Sequence, residues 1–267
     1  VRVHGALRLA CDGAGRLLLS APGATLAFTA PVAYQVGDAG RREVPVAYAV
    51  RGDRYGFEVG PYDPAAELVI DPLISSTYLG GAGQDGSYDV GLGRDAAGNW
   101  FVASRTCSPD FPVTPGVYDP TWGAGPSDLF VAKLDPGFTT LLAACFLGGG
   151  AEEASWPGAA LAVDPAGCVL VASNSASGNF PTTEGAYDRV LGGTFDAVVA
   201  KFDNSLSTLL GSTFLGGSSA EEYVALAMDG SGRPCLALAT RSTDFPTTSD
   251  AFDRTYNGTR DLALCRL

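Results

Sequence analysis

Leu79-Gly80-Gly81 occurs three times in this chain. It returns as Leu147-Gly148-Gly149 and as Leu215-Gly216-Gly217, so both steps, from Leu79 to Leu147 and from Leu147 to Leu215, are 68 residues. Downstream landmarks recur in the same order. Asp95-Ala-Ala-Gly98 matches Asp164-Pro-Ala-Gly167 and Asp229-Gly-Ser-Gly232, and Asp110-Phe111-Pro112 matches Asn179-Phe180-Pro181 and Asp244-Phe245-Pro246. Phe130-Val-Ala-Lys133 matches Val198-Val-Ala-Lys201 and, more loosely, Ala263-Leu-Cys-Arg266. A fixed period of this length means stacked supersecondary units that share a core no single unit could build.

Each repeat offers four strand segments. The first precedes the Leu-Gly-Gly (Ile74–Leu79, Leu142–Leu147, Leu210–Leu215), and the second ends at the Asp of the turn (Val90–Arg94, Ala159–Val163, Val224–Met228). In the second strand small residues hold alternate positions: Gly91 and Gly93, Ala160 and Ala162, Ala225 and Ala227. Apolar residues fill the others, so both faces of this strand are expected to be buried, with a neighbouring sheet close on the small side. The Asp-x-x-Gly turn leads to the third strand (Trp100–Ser104, Val169–Ser173, Cys235–Leu238). The fourth is Leu129–Leu134, Ala197–Phe202 and Leu262–Leu267. The loop between third and fourth strands is long, which predicts function or internal packing, with Phe111 and Tyr118 forming a small knot.

Residues 1–72 lack the repeat but also read as strands: Val1–Ala10, Arg16–Ser20, Thr25–Val36, Glu43–Val50, Tyr55–Val59 and Leu68–Ile70. The expected fold is therefore all-β, with a small antiparallel domain over 1–72 and three four-stranded, propeller-like blades over 73–267. The blades are expected at about 74–141, 142–209 and 210–267.

The chain is acidic, with a formal net charge of −12, which argues against nucleic acid and anionic membrane surfaces as partners. No apolar run approaches a membrane span. No basic-then-apolar leader stands at Val1, so a secretion signal is expected to be removed or to lie outside this stretch. The six cysteines show no CxxC spacing and His4 is the one histidine, which leaves little for zinc. They are read either as small buried side chains or as one or two disulfides, with Cys235 and Cys265 on neighbouring strands the best candidate pair.

"STYLGG" (Ser76–Gly81), "DAAGNWFVAS" (Asp95–Ser104), "DFPVTPGVYD" (Asp110–Asp119) and "DLFVAKLD" (Asp128–Asp135) resemble the bacterial seven-bladed β-propeller repeat, often abbreviated SBBP. "APVAYQ" (Ala30–Gln35), "GFEVGPYDP" (Gly56–Pro64) and "LVIDP" (Leu68–Pro72) are similar to the β-rich domain that commonly precedes it. The resemblance implies a secreted or cell-surface bacterial protein, mostly of kinds without an assigned activity. Three repeats are too few for a seven-bladed ring from one chain.

The most regular polar position is an acidic residue six beyond each Leu: Asp85, Glu153 and Glu221. Either these carboxylates form an arc on one face, able to hold a divalent cation or a polar glycan, or each caps its own loop or pairs with Lys133, Lys201 or Arg266. The loop aromatics Phe111, Tyr118, Phe180, Tyr187, Phe245 and Phe252 could stack on sugars, as could Trp122 and Tyr256, or could pack within their loops. No G-x-S-x-G elbow, phosphate-binding loop or EF-hand spacing is present, and no acidic pair stands outside the repeat. No catalytic residue, cofactor or resident metal is therefore expected. The reading that follows is a non-enzymatic structural or assembly protein of the bacterial surface. Copies would associate through β-strand complementation, into a filament if the rotation between them does not close. A glycan-binding, lectin-like module is the alternative. The donated strand is expected from Val1–Ala10 or Ile74–Leu79, because the third repeat reaches Leu267 without the strand that follows Lys133 and Lys201.

Overall fold

The computed structural model describes residue 3 and residues 8–21, 24–37, 40–71, 75–155 and 158–267. Among these there is no helix; the fold is all-β, built of small antiparallel sheets. Two compact units divide it, Val1–Thr77 and Tyr78–Leu267.

The first unit holds β1 (Arg8–Cys11), β2 (Leu17–Ala21), β3 (Ala24–Phe28), β4 (Val32–Gly37), β5 (Gly40–Val44), β6 (Val46–Arg51), β7 (Arg54–Val59) and β8 (Val69–Asp71). They form the sheets β1-β2-β3 and β5-β4-β8 and the hairpin β6-β7. Two segments expected as single strands are split, Thr25–Val36 around Pro31 and Glu43–Val50 at Pro45, because proline fixes φ and offers no N–H to a ladder. Leu17, Ala33 and Val44 are buried, and Tyr48 packs among Tyr55 and Phe57. Gln35 is buried and fastens the Pro61–Pro64 turn: its Nε2 donates to Asp63 O (2.6 Å) and its Oε1 accepts from Asp63 N (2.9 Å). Most of the strand expected from Val1 lies outside the described residues.

The second unit contains β9 (Gly91–Arg94), β10 (Trp100–Thr106), β11 (Asp128–Leu134), β12 (Leu141–Leu147), β13 (Ala160–Val163), β14 (Val169–Ser175), β15 (Asp196–Phe202), β16 (Leu209–Leu215), β17 (Glu221–Met228), β18 (Pro234–Thr240) and β19 (Asp261–Arg266). Its sheets are β12-β11-β10-β9, β13-β14-β15-β16 and β17-β18-β19. The strand before each later Leu-Gly-Gly thus completes the sheet of the preceding repeat, so structural sheets run one strand out of phase with sequence repeats. Ile74 lies outside the described residues, and Ser75–Leu79, expected as a first strand, forms none. The third sheet accordingly has three strands where four were expected.

The sheets stack face upon face. Phe101, Leu129, Val131 and Cys145 of the first meet Val171, Val198, Phe202 and Phe214 of the second in one buried cluster. Ala172, Ala197 and Val199 of the second meet Val224, Leu236 and Leu238 of the third in another. β9 explains its glycines. A Cβ on Gly91 would stand 2.7 Å from Leu161 Cβ, and one on Gly93 would stand 2.5 Å from Leu161 Cδ2. The small positions are therefore seats for the leucine of the next repeat.

The other face of the first sheet is covered by its own long loop. Phe111 stacks on Phe130 (ring centroids 4.3 Å apart), and Trp122 meets Phe146 edge-on. The expected knot of Phe111 with Tyr118 does not form. Tyr118 instead crosses to the next repeat, where its ring meets Phe202 and its N–H donates to Leu206 O (2.8 Å).

Candidate functional site

Two places gather polar side chains from successive repeats. One is the end where the Asp-x-x-Gly turns converge. Asp95, Asp164, Asp229 and their turns line a concavity of about 590 Å³. These carboxylates are already engaged. Asp95 accepts from Asn99 N, Asp164 from Ala166 N and Cys168 N, and Asp229 from Ser231 N and Arg233 N. Cations complete each: Lys133 to Asp95 (3.3 Å), Lys201 to Asp164 (2.8 Å) and Arg233 to Asp229 (2.9 Å). Burial raises Asp95, but hydrogen bonds from Asn99, Asn204 and Lys133 outweigh it and hold the carboxyl down at about 2. Carboxylates so paired are poor proton acceptors and poor ligands.

Asn204 links two of these turns. Its Nδ2 donates to Gly167 O (2.8 Å) and Asp95 Oδ2 (3.4 Å), and its backbone and side-chain oxygens both accept from Lys133 Nζ. Asn204→Ala is expected to cost about 1–2 kcal/mol, since Lys133 and Asp95 keep each other. Urea denaturation followed by fluorescence checks this, and an unchanged midpoint would refute the link.

The second place is each junction between sheets, and here lie the recurring acids. Glu153 and Glu221 are fully buried rather than set on an open arc. Glu153 Oε1 accepts from Ser175 Oγ (2.9 Å), and Glu221 Oε1 accepts from Thr240 Oγ1 and Ser242 Oγ (both 2.7 Å). Asp85 accepts from Thr106 Oγ1 (2.5 Å), Ser108 Oγ (2.9 Å) and Gly81 N (2.8 Å). The recurring basic residues of the fourth strand do not serve them, since Lys133 and Lys201 go to the turns.

Their partners across the junction are acids that the repeat pattern held but did not single out. Asp128 opens β11 and Asp196 opens β15, each buried and each receiving a backbone N–H from its own loop (Gly123 N at 2.7 Å, Gly192 N at 2.8 Å). Asp128 faces Glu153 of the next repeat over Gly148, and Asp196 faces Glu221 over Gly216. Asp128 Oδ1 and Glu153 Oε2 meet no other donor. Both converge over Gly148, 2.5 and 2.9 Å from where a Cβ would stand. Two acceptor oxygens can face one another only if one carboxyl keeps its proton, and that proton supplies the missing donor. Burial, and then the charge of Asp128, pushes Glu153 up to about 8, while burial also raises Asp128. Burial and the charge of Glu221 push Asp196 up to about 6. The first glycine of Leu-Gly-Gly is thus the lid over a buried acid pair. A signal was present in the sequence: Asp128, Asp196 and Asp261 stand at one position of the repeat.

The other candidates are dispersed. Phe180 packs near Phe214, Phe245 against the cluster between second and third sheets, and Tyr187 and Phe252 are exposed. All six cysteines are free. The register sets Cys235 opposite Arg266 and Cys265 opposite Leu236, so the two thiols lie on opposite faces of the sheet and do not bridge. Among the described residues no cluster of three metal-binding side chains exists.

Residues 1–73 match the model of a family described as a domain of unknown function, DUF7948. No curated protein matches the chain.

Proposed function

We propose that this chain is a non-enzymatic structural protein of the bacterial exterior, whose three sheets are propeller-type blades and whose copies assemble by β-strand addition. One observation carries the reading. The strand that closes each of the first two sheets, β12 or β16, comes from the following repeat, so strand addition between units is already the way this chain completes a sheet. An open strand edge is a template for pairing with another chain. The turn carboxylates, bound to N–H groups and cations, support a scaffold rather than a catalyst. Tyr187 and Phe252 give the lectin-like reading its support, but neither lines the concavity where the turns meet.

Sedimentation velocity from micromolar to near-millimolar chain is expected to show concentration-dependent association. A single monomer boundary throughout would overturn the assembly reading. Assays with common ester, peptide and glycoside substrates are expected to stay at background. Turnover abolished by one Asp or Glu substitution would overturn the non-enzymatic reading.

A further inference from the structure

We infer that the junction between the first and second sheets is a proton-held latch, which opens locally as pH rises while the junction between the second and third sheets stays shut. Both junctions lie inside the chain, and neither depends on how copies associate.

The junctions correspond residue for residue at the 68-residue step, so their differences stand out. At the second, Thr194 N donates to Ser219 O (2.9 Å) and Glu221 N donates to Phe195 O (2.8 Å). At the first, Pro126 stands in the place of Thr194 and has no N–H to give Ala151 O. The bond equivalent to that of Glu221, from Glu153 N to Ser127 O, is stretched to 3.4 Å. Ser127 Oγ adds a side-chain link to Glu153 O (2.9 Å). The first junction is thus the more weakly tied of the two.

The acid pairs differ in the same sense. In the second, a backbone N–H reaches each facing oxygen: Gly193 N donates to Asp196 Oδ1 and Gly217 N to Glu221 Oε2, both at 3.2 Å. In the first, the facing oxygens Asp128 Oδ1 and Glu153 Oε2 have no such donor. The second pair can therefore carry two charges against fixed donors, whereas the first depends on the proton it holds. Glu153 is accordingly pushed up to about 8, chiefly by burial, and Asp196 only to about 6. Among the described residues no cation compensates either pair. Beside the first, Arg105 of β10 is taken by Glu152 (3.1 Å), and the charge of Asp119 raises Asp128 further. β14 and the turn after it bring Ser175 and Ser177, which carry no charge. Beside the second, Glu222 takes Arg241 (3.3 Å) and Arg260 (2.6 Å), and Asp244 is held by Ser218 N.

The bonds also define what parts. Glu153 stays with its own repeat, through Ser175 Oγ on its carboxyl, Ala154 N on Asn174 O and Ala176 N on Glu152 O (all 2.9 Å). Asp128 stays with its own loop through Gly123 N (2.7 Å). Loss of the proton therefore separates residues 125–128 from 151–153, while the apolar cluster of Phe101, Leu129, Val171 and Phe214 keeps the two sheets stacked. The closed latch binds the proton more tightly than the open one. Closure is complete at low pH and is lost as pH climbs through about 8.

Amide protection factors, measured by NMR hydrogen exchange at pH 6.5 and pH 9, test this, since they divide out the base catalysis of exchange itself. The Glu153 amide is expected to lose protection about tenfold, the factor set by one pH unit above the value of its carboxyl. The Thr194 and Glu221 amides are expected to keep theirs. Glu153→Gln removes the titrating group, and Pro126→Thr supplies the N–H that Thr194 gives at the second junction. In each variant the amide of residue 153 is expected to stay protected at pH 9, and Pro126→Thr carries the test if Glu153→Gln does not fold. Unchanged protection of the wild-type Glu153 amide would refute the latch, and so would a parallel loss at Glu221. A loss that persists undiminished in either variant would refute it as well.

Discussion

The second unit is expected to lose stability as pH rises from 5 to 8.5, and Glu153→Gln is expected to abolish much of that loss. A carboxyl whose folded pKa is raised makes the folded state the better proton binder. Its contribution is complete below the unfolded value, near 4, and disappears as pH climbs through the folded value. Asp196 at about 6 and Glu153 at about 8 therefore place the loss between pH 5 and 8.5. Each unit of elevation is worth about 1.4 kcal/mol, so a combined loss on the order of 3 kcal/mol is a restrained expectation. For a unit of this size it lowers the melting temperature by about 10 °C. The turn carboxylates act oppositely: Asp95, held at about 2, contributes above pH 4 and is lost as pH falls toward 2. Stability should peak near pH 5. Trp100 and Trp122 lie in the second unit and the sequence has no tryptophan within Val1–Thr77, so tryptophan fluorescence melting reports on the second unit.

Glutamine at 153 would accept from Ser175 as Glu153 does, and its amide would donate to Asp128 Oδ1, which has no other donor. The variant should melt several degrees above wild type at pH 8.5 and near it at pH 5. A wild-type melting temperature that stays flat across that range would show that the pairs hold no proton. A Gln variant weaker at every pH would show that Asp128 and Glu153 need more than a donor between them.

Gly193→Ala should be the most damaging glycine-to-alanine change among the described residues. Its Cβ would overlap the carbonyl oxygen of Ser219, and backbone cannot turn aside as a side chain can. Thr194 N also donates to that oxygen (2.9 Å) and Glu221 N donates to Phe195 O (2.8 Å), so opening the gap strains two hydrogen bonds and the seat of the Asp196–Glu221 pair. Overpacking ordinarily costs about 1–3 kcal/mol, and a clash between two backbones should reach or pass the upper end. Gly211 of β16 is the control, because a Cβ there meets nothing within 4 Å; Gly211→Ala should change stability by less than about 1 kcal/mol. Equal effects of the two substitutions in urea titrations would contradict the close approach.

The strands were legible because their pattern repeats, and the Gly91 and Gly93 alternation announced a close neighbour. Their pairing was less legible. A period states how far apart equivalent residues are, not whether Leu142–Leu147 joins the sheet before it or after it. The structure gives that strand to β11, the fourth strand of the repeat before. Asp85, Glu153 and Glu221 were visible as a regular position, yet the burial of Glu153 and Glu221 was not, since the Leu-Gly-Gly turn that folds over them reads as an open loop. Asp128 and Asp196 escaped notice because each acts in the repeat after its own. Tyr118 misled for the same reason, its ring resting on Phe202 rather than beside Phe111.

The one-strand offset between sheet and repeat has a consequence for how such a chain could be made and cut. As the chain lengthens, the first sheet can be assembled as far as Leu134, but its last ladder must wait for Leu141–Leu147. Those residues are also the entrance to the next repeat. Synthesis therefore never passes a point at which one sheet is finished and the next untouched; the same seven residues close one and open the other. A boundary drawn before Leu141 strands β11 with a bare edge, and one drawn after Gly149 keeps the ladder but removes Glu153 from Asp128. Repeats joined in this way are not beads to be counted off, since each is finished by its successor.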